Sequence, residues 1–252
     1  MRRLILIVVG LALAVTLGWV SPAAATVTTL TPTDDCYTHN GDNGNYSDIR
    51  NLAVKWDDRN NDHMRFTYIK FDLSPYQGTD LASASLDLTT HSGGHGANFV
   101  YRLWGLDPDA GGHTWTESTI TGANRPAAIS IVGGVGGQNY AYVDESQTFG
   151  NQALLTFFLA DPAVTEVLTV GDGDDNFLSF LNVAKEQNGG AVTFILHKDR
   201  HSTNDVGYFH SKEDPSQRGP RLNVTTVPEP STIILLAIGA VGLAAYGRRR
   251  RK

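Results

Sequence analysis

Short segments in which apolar and polar residues alternate dominate the central part of this chain of 252 residues. The clearest is 65–73, where Phe71 and Leu73 fall on one face of a strand and Lys70 and Asp72 on the other. A period of two residues belongs to a β-strand with one buried face. The pattern therefore predicts that Phe71 and Leu73 are buried and that Lys70 and Asp72 face outward.

Runs of this kind recur along the chain, with turn residues such as Gly, Asn and Asp between them. They lie at 83–88, 98–106, 129–132, 140–143, 154–159, 192–196, 206–209 and 221–224. The run at 98–106 is apolar on both faces, which is typical of a central strand between two packed layers. About ten short strands separated by turns predict an all-β fold, a jelly-roll β-sandwich.

One segment has a helical spacing instead. Apolar residues fall at 177, 178, 181 and 184, after the run Asp174-Asp175 and before Gly189-Gly190. An Asp can accept hydrogen bonds from the first free amides of a helix, and glycine commonly ends one. We therefore predict one short helix that covers an end or an edge of the sandwich.

The first 25 residues have the three parts of a secretory signal peptide. Arg2 and Arg3 form the positive start, 4–20 form the apolar stretch, and 21–25 end in an A-x-A site. We predict cleavage by signal peptidase after Ala25. A permanent transmembrane anchor is the alternative, and the small-residue site favours cleavage.

The last 26 residues, 227–252, contain Pro228-Glu229-Pro230, an apolar stretch at 232–247 and five consecutive basic residues. The apolar stretch is shorter than the about 20 residues of a stable membrane span, and the basic end stays on the cytoplasmic side. This order resembles the PEP-CTERM sorting signal. The resemblance implies a Gram-negative host that makes exopolysaccharide, transient membrane insertion through 232–247, and an exosortase that cuts near the motif. A plain C-terminal anchor is the alternative.

Removal of both ends leaves a body at 26–226, a length that suits one sandwich domain. Taking the seven basic residues of the ends from 20 leaves 13, and taking Glu229 from 26 acidic residues leaves 25, so the body carries a charge near −12. An acidic body excludes nucleic acid as an expected partner, because phosphate binding relies on Lys and Arg. The single cysteine, Cys36, cannot form an intrachain disulfide.

Four sequence segments of the body occur in a recognisable order: 31–35 (TPTDD), 68–74 (YIKFDLS), 115–126 (WTESTITGANRP) and 208–224 (YFHSKE to RLNV). This order resembles the DNRLRE domain, also grouped as carbohydrate-binding module family 96. The resemblance implies a jelly-roll sandwich of secreted and surface proteins. It also implies extracellular polysaccharide as the partner.

Aromatic side chains stack on the apolar C–H faces of sugar rings, while nearby polar groups serve the hydroxyls. Trp56 precedes the polar run 57–62, so we expect it to be the best exposed platform. Trp115 and Tyr140 are the further candidates for carbohydrate binding. Trp104 lies in the strand that is apolar on both faces, and we expect it to be buried.

Carboxylates cluster at 172–176, and the oxygens of Asp172, Asp174 and Asn176 suit Ca²⁺. The run lacks the glycine and the terminal glutamate of an EF-hand loop. A solvated turn with a helix cap explains the same residues and is the favoured interpretation. A second oxygen-rich stretch contains Asp34 and Asp35.

Support for catalysis is thin, because the sequence contains neither G-x-S-x-G nor H-E-x-x-H. Tyr208, His210, Lys198 and Arg200 can be assigned as the base, acid and charge neutralisers of a polysaccharide lyase. Any β protein with charged loops would allow such an assignment. We therefore predict a protein without enzymatic activity, exported and sorted to the cell surface or extracellular matrix. Its body would bind or pack with extracellular polysaccharide, and a small secreted polysaccharide lyase or hydrolase is the alternative. A passive structural component of a surface coat is the third hypothesis.

Overall fold

The structure is a computed structural model of the chain. It describes residues 25–40, 44–47, 49–56, 64–91, 99–110, 112–131, 140–159, 165–198, 206–226 and 239, without the side chains of 99, 129–131, 140–142 and 159. The body, Val27–Thr226, forms one compact unit. The predicted signal peptide up to residue 24 and the predicted sorting helix at 232–247, apart from Gly239, lie outside the described residues.

Strands make up most of the described body. They are β1 Thr26–Leu30, β2 Asp34–His39, β3 Asn51–Val54, β4 Arg65–Asp72, β5 Leu81–Thr89, β6 Phe99–Gly105, β7 Ala128–Ile131, β8 Tyr140–Val143, β9 Leu155–Leu159, β10 Val167–Val170, β11 Ala191–Lys198, β12 Gly207–His210 and β13 Arg221–Thr226. The α-helix, α1, is Asp175–Ala184. Short 3₁₀ helices lie at Ser74–Tyr76, Glu145–Gln147, Phe149–Asn151 and Asn188–Gly190.

The sheets have the strand order of a jelly roll, as predicted. One sheet has four strands in the order β1-β13-β5-β10, and the other has five in the order β2-β4-β11-β6-β9. Eight strands of these two sheets form the jelly roll. In chain order they are β1, β4, β5, β6, β9, β10, β11 and β13. Numbered one to eight, they stand in the orders 1-8-3-6 and 2-7-4-5, which is the arrangement of two Greek keys. The sequence patterns did not predict β1, β2, β3 or β10.

The inner core lies between the two sheets. Leu86 and Leu222 of the four-stranded sheet pack in the same cluster as Phe71, Leu103 and Phe194 of the five-stranded sheet. All five side chains are 0% exposed. The predicted burial of Phe71 is therefore confirmed, and this apolar layer is what holds the two sheets together.

A second core covers the outer face of the five-stranded sheet. Tyr68, Trp104 and Ile195 project from β4, β6 and β11 into a cluster closed by Trp115 and Val143. The five-stranded sheet is thus buried on both faces at β4, at β11 and at the end of β6. The prediction of two packed layers around the strand at 98–106 is confirmed, because Leu103 and Trp104 of β6 enter opposite cores.

This second core corrects the prediction for Lys70. Lys70 does not face solvent, since it is only 8% exposed, whereas Asp72 at the strand end is exposed as predicted. Its neighbours across the strand register are Asp34 of β2 and Thr193 of β11. A segment that is distant in sequence covers them, so the alternation within the strand did not reveal the burial.

The helix α1 was predicted correctly. Asp174 caps it, since its carboxylate accepts a 2.9 Å hydrogen bond from the Phe177 amide. The Phe177 ring stacks on Phe194 of β11 with 5.5 Å between ring centroids and 9° between ring planes. Asn182 accepts from the Leu81 amide at 2.9 Å and donates to the Leu81 carbonyl at 3.1 Å, which ties the helix to the start of β5.

Gly171 permits this close packing of the helix. Its φ is +82°, a conformation that residues with a Cβ rarely adopt, and an added Cβ would lie 2.6 Å from the Phe177 ring.

Among the described residues, no helix is long and apolar enough to cross a membrane.

Phe177→Ala tests whether α1 is part of the inner core. We expect it to lower the free energy of unfolding by about 3–5 kcal/mol, because a fully buried ring is replaced by a cavity. Urea unfolding monitored by tryptophan fluorescence measures the change. Val183→Ala is the matched control on the same helix, since Val183 is 40% exposed, and its effect should stay within about 0.5 kcal/mol. Equal losses in both variants would contradict the packing described.

Candidate functional site

Three segments that are far apart in sequence bring carboxylates together beside the outer core. Asp35 comes from β2, Glu117 from the turn after Trp115, and Glu213 from the turn after β12. One oxygen from each lies within 4.8 Å of one from each of the others. We call Asp35, Glu117 and Glu213 the carboxylate cluster.

Lys212 provides the positive charge next to the carboxylate cluster. Its ammonium lies 2.6 Å from Glu117 Oε2 and 2.5 Å from Glu213 Oε1. Its backbone amide donates to Asp35 Oδ2 at 2.8 Å. Burial disfavours the ammonium, but hydrogen bonds to Glu117 and Glu213 outweigh it and raise the pKa of Lys212.

Asp35 is the most perturbed member of the cluster. It is 0% exposed, and burial raises the pKa of its carboxyl to about 8, with a further contribution from the negative charge of Glu213. The amide of Lys212 acts in the opposite direction by stabilising the ionised form. Burial and the hydrogen bond to the Glu213 side chain therefore favour the protonated form of the Asp35 carboxyl.

The neighbouring ion pair between Lys70 and Asp34 fixes the position of the turn that contains Glu117. Lys70 Nζ lies 2.9 Å from Asp34 Oδ2, donates to the Trp115 carbonyl, and lies 4.6 Å from the centroid of the Trp115 ring. Trp115 Nε1 donates to Thr193 Oγ1 at 3.1 Å, and the Glu117 amide donates to Asp34 Oδ1 at 3.0 Å. Burial opposes ionisation of Asp34, yet the Lys70 and Glu117 hydrogen bonds hold the pKa of its carboxyl below the usual value.

The tryptophans predicted to bind sugar are buried. Trp56 and Trp115 are each 6% exposed and belong to the outer core. Trp56 packs edge-on against His197 with 5.6 Å between the ring centroids. The prediction that Trp56 is an exposed platform is therefore wrong, because side chains from other strands surround it. Tyr140 begins β8, and its side chain lies outside the described residues.

The edge strand β9 presents an exposed aromatic ring that the sequence patterns did not predict. Phe158 is 67% exposed. Its register partner is Val100, and Arg102 pairs with Thr156 in the same ladder. Phe157 turns the other way and stacks on Tyr101 with 5.5 Å between ring centroids. Phe158 thus lies on the outer side of the sheet.

We call Val100, Arg102, Thr156 and Phe158 the Phe158 face. Thr156 is exposed, and Val100 and Arg102 are half-buried. The face offers one apolar ring beside a hydroxyl and a guanidinium. Two adjacent phenylalanines, Phe157 and Phe158, were a usable signal in the sequence, since neighbouring strand residues point to opposite sides of a sheet.

The acidic run after β10 is divided between two roles. Asp174 caps α1, so the capping interpretation is confirmed for this residue. Asp172 and Asn176 are exposed. In the described part of the chain, the acidic side chains whose oxygens lie within 4.8 Å of one another are those of the carboxylate cluster. Ca²⁺ binding by Asp172, Asp174 and Asn176 stays a prediction.

The residues considered for a lyase mechanism do not lie in an open arrangement. His210 and Lys198 are 3% and 0% exposed. Tyr208 is half-buried, and Arg200 lies outside the described residues. His210 packs near His91, with 5.0 Å between ring centroids, and its Nδ1 lies 3.3 Å from Asp214 Oδ2.

His210 predicts a pH dependence of stability. Burial, followed by the charges of Arg218 and His91, lowers the pKa of the imidazole below 6.5, while Asp214 acts in the opposite direction. A histidine with a lowered folded pKa stabilises the fold above the unfolded pKa and loses that contribution as the pH falls. We expect the free energy of unfolding to decrease from pH 7 toward the lowered pKa, and His210→Gln to weaken this dependence.

Urea unfolding at a series of pH values measures the effect, and NMR titration of the imidazole measures the pKa of the folded state directly. A His210 midpoint above 6.5, or an unchanged pH dependence in His210→Gln, would contradict the assignment.

Comparison with known proteins agrees with this architecture. The sequence profile of carbohydrate-binding module family 96 matches residues 26–163. The PEP-CTERM protein-sorting motif matches residues 226–251. No curated protein matches the chain.

The family match ends before β10, β11 and β13, three strands that complete the two sheets. It nevertheless spans more than half of the chain and includes Asp35 and Glu117 of the carboxylate cluster as well as the Phe158 face. The chain therefore belongs to carbohydrate-binding module family 96, and it ends in a PEP-CTERM protein-sorting motif.

Proposed function

We propose that this protein is exported, processed by an exosortase, and kept at the cell surface or in the extracellular matrix, where its sandwich binds polysaccharide. The sorting motif at 226–251 supports the destination. Membership of a carbohydrate-binding family supports the ligand class. Signal peptidase and the exosortase are the processing partners in this proposal.

The observation that carries the binding site is the exposure of Phe158. An aromatic ring that is 67% exposed on a sheet face gives an apolar surface for the C–H face of a sugar. Thr156 and Arg102, in the same ladder, supply a hydroxyl and a guanidinium to the sugar hydroxyls. Carbohydrate sites combine apolar contact with a few polar groups in this way.

A binding role without catalysis is the better supported function. His210 and Lys198, two of the residues that a lyase would need, are buried at 3% and 0% exposure. Burial also lowers the pKa of the His210 imidazole, which favours its neutral form. The Phe158 face contains no pair of titratable groups that would act as acid and base.

Phe158→Ala tests the binding surface. We expect the affinity for a bound polysaccharide to fall about tenfold, which corresponds to about 1.4 kcal/mol, because the stacking surface is removed. Affinity electrophoresis and titration calorimetry against a panel of neutral and acidic polysaccharides, including the host's own, measure the change. Phe158→Trp should retain binding.

Val183→Ala is the matched control, since Val183 is also an exposed apolar residue but lies on α1. It should bind like the unchanged protein. Equal affinity of Phe158→Ala and Val183→Ala would contradict the assignment of the Phe158 face. Chain length of the polysaccharide is followed in the same samples, and shortening would make the protein an enzyme.

Glu229→Ala tests the sorting step in the host. We expect the precursor to accumulate with its C-terminal tail intact and the surface fraction to fall, because the processing motif is altered. Cell fractionation and mass spectrometry of the C-terminal peptide measure both quantities. Glu145→Ala, at an exposed glutamate of the body, is the control and should be processed normally. Normal processing of Glu229→Ala would contradict the exosortase proposal.

A further inference from the structure

The last strand of the body continues directly into the sorting motif. Thr226 is the final residue of β13, and it is also the first residue of the matched motif, 226–251. In the sequence, Val227 alone separates the strand from Pro228. The residues 227–231 precede the apolar stretch, and a fully extended chain of that length covers at most about 18 Å. An enzyme that recognises the motif therefore meets a segment whose first residue is paired in a sheet.

The two final residues of β13 are attached less firmly than the rest of the strand. Leu222 and Val224 belong to the inner core and are 0% exposed. Thr225 and Thr226 are half-buried, and the register with β5 shifts between them. An irregular strand end without a buried apolar side chain opens at a low cost in free energy. Val224 is thus the last residue of β13 that anchors the strand in the core.

The start of β5 keeps its hydrogen bonds at Leu81 when the end of β13 leaves. Leu81 is the register partner of Thr226. The Leu81 amide donates to Asn182 Oδ1 at 2.9 Å, and the Leu81 carbonyl accepts from Asn182 Nδ2 at 3.1 Å. Both backbone groups of Leu81 have a partner on α1, so separation of Thr226 leaves neither of them unsatisfied.

The remainder of β13 is fixed by side chains on its solvent face as well as by the core. Asn223 Nδ2 donates to Asp87 Oδ2 of β5 at 2.9 Å. Thr29 of β1 donates to Asn223 Oδ1 at 2.7 Å. These bonds link β13 to both of its neighbours in the sheet. The strand can therefore release its last two residues while the four-stranded sheet keeps its order.

We propose that Thr225 and Thr226 separate from β5 before the exosortase cuts, and that Val224 limits the separation to these two residues. The inference rests on the exosortase processing proposed above and adds to it how the folded body exposes its motif. Proteases cut folded proteins at segments that open locally, because a paired strand does not present its backbone to another protein. Two released residues lengthen the unpaired chain before the apolar stretch by about 7 Å.

A disulfide between β5 and β13 tests the separation in the host, with the full chain and both of its signals. Ser83→Cys combined with Thr225→Cys joins directly opposite residues at the end of the strand. Opposite Cβ atoms lie about 4.5–5.5 Å apart, close to the separation that a disulfide needs, and an exported chain meets an oxidising compartment. We expect the rate of tail removal to fall at least about tenfold, because cleavage follows the population of the open end.

The matched control has its disulfide two residues deeper in the sheet. Ser85→Cys combined with Asn223→Cys also joins opposite residues on the same face. It leaves Thr225 and Thr226 able to separate, so this variant should lose its tail as fast as the unchanged chain. Pulse-chase labelling with mass spectrometry of the C-terminal peptide measures the rate. A gel shift with a thiol reagent shows that each disulfide has formed.

Two further arms distinguish a blocked strand end from a general defect of the variant. Reduction with dithiothreitol in isolated host membranes should restore tail removal in the chain with Ser83→Cys and Thr225→Cys. An insert of about six Gly and Ser residues between Thr226 and Val227 should restore it without reduction, since the flexible insert supplies unpaired chain.

Normal processing of the chain with Ser83→Cys and Thr225→Cys would overturn the proposal, and so would equal slowing in both disulfide variants. Failure of the reductant or of the insert to restore tail removal would overturn it as well. A retained tail in the unchanged chain has a different meaning, because it would overturn the exosortase proposal itself and this inference with it.

Discussion

Burial of the middle of the five-stranded sheet on both faces is the constraint on which the rest of the structure depends. The inner face packs against the four-stranded sheet, and the outer face is covered by the segment that contains Trp115. A sheet buried on both sides must satisfy every polar side chain on either face. Lys70 is the critical case, because its ammonium is beneath Trp115 and needs Asp34 and the Trp115 carbonyl as partners.

The polar groups that hold this cover in place also form the carboxylate cluster. Lys70 and Thr193 fix Trp115, and the turn that follows places Glu117 beside Asp35. Residues whose local sequences resemble the family motifs are thus neighbours in space. These residues have a structural role, since they attach the segment that contains Trp115 to the five-stranded sheet. The surface proposed for polysaccharide lies elsewhere, at β9, where the cover leaves Phe158 exposed.

Local patterns predicted the elements whose stabilising contacts are regular. The helix α1 was found because its apolar spacing, its Asp174 cap and its terminal glycines agree. Strands β4, β6, β8 and β11 were found from alternation or long apolar runs. Strands β1, β2, β3 and β10 were missed. No residue of β1 or β10 is buried, and β2 buries the polar Asp35 and Thr38, so these three strands do not show one buried apolar face. The prediction that Trp56 is exposed was wrong, since a polar run beside Trp56 in sequence does not show what packs over the indole.

The sequence by itself determined the all-β class, the helix α1, the family and the sorting motif, because periodicity and terminal motifs are local properties of the chain. Only the tertiary structure decided which face of each strand meets solvent. Lys70, Trp56 and Trp115 are buried and Phe158 is exposed because of segments that are distant in sequence. The meeting of Asp35, Glu117 and Glu213 is also a tertiary result. Their spacing along the chain contains no signal. The pairing of β2 with β4 places Asp35, and backbone hydrogen bonds from Asp35 to Glu117 and from Lys212 to Asp35 hold the other two segments beside it.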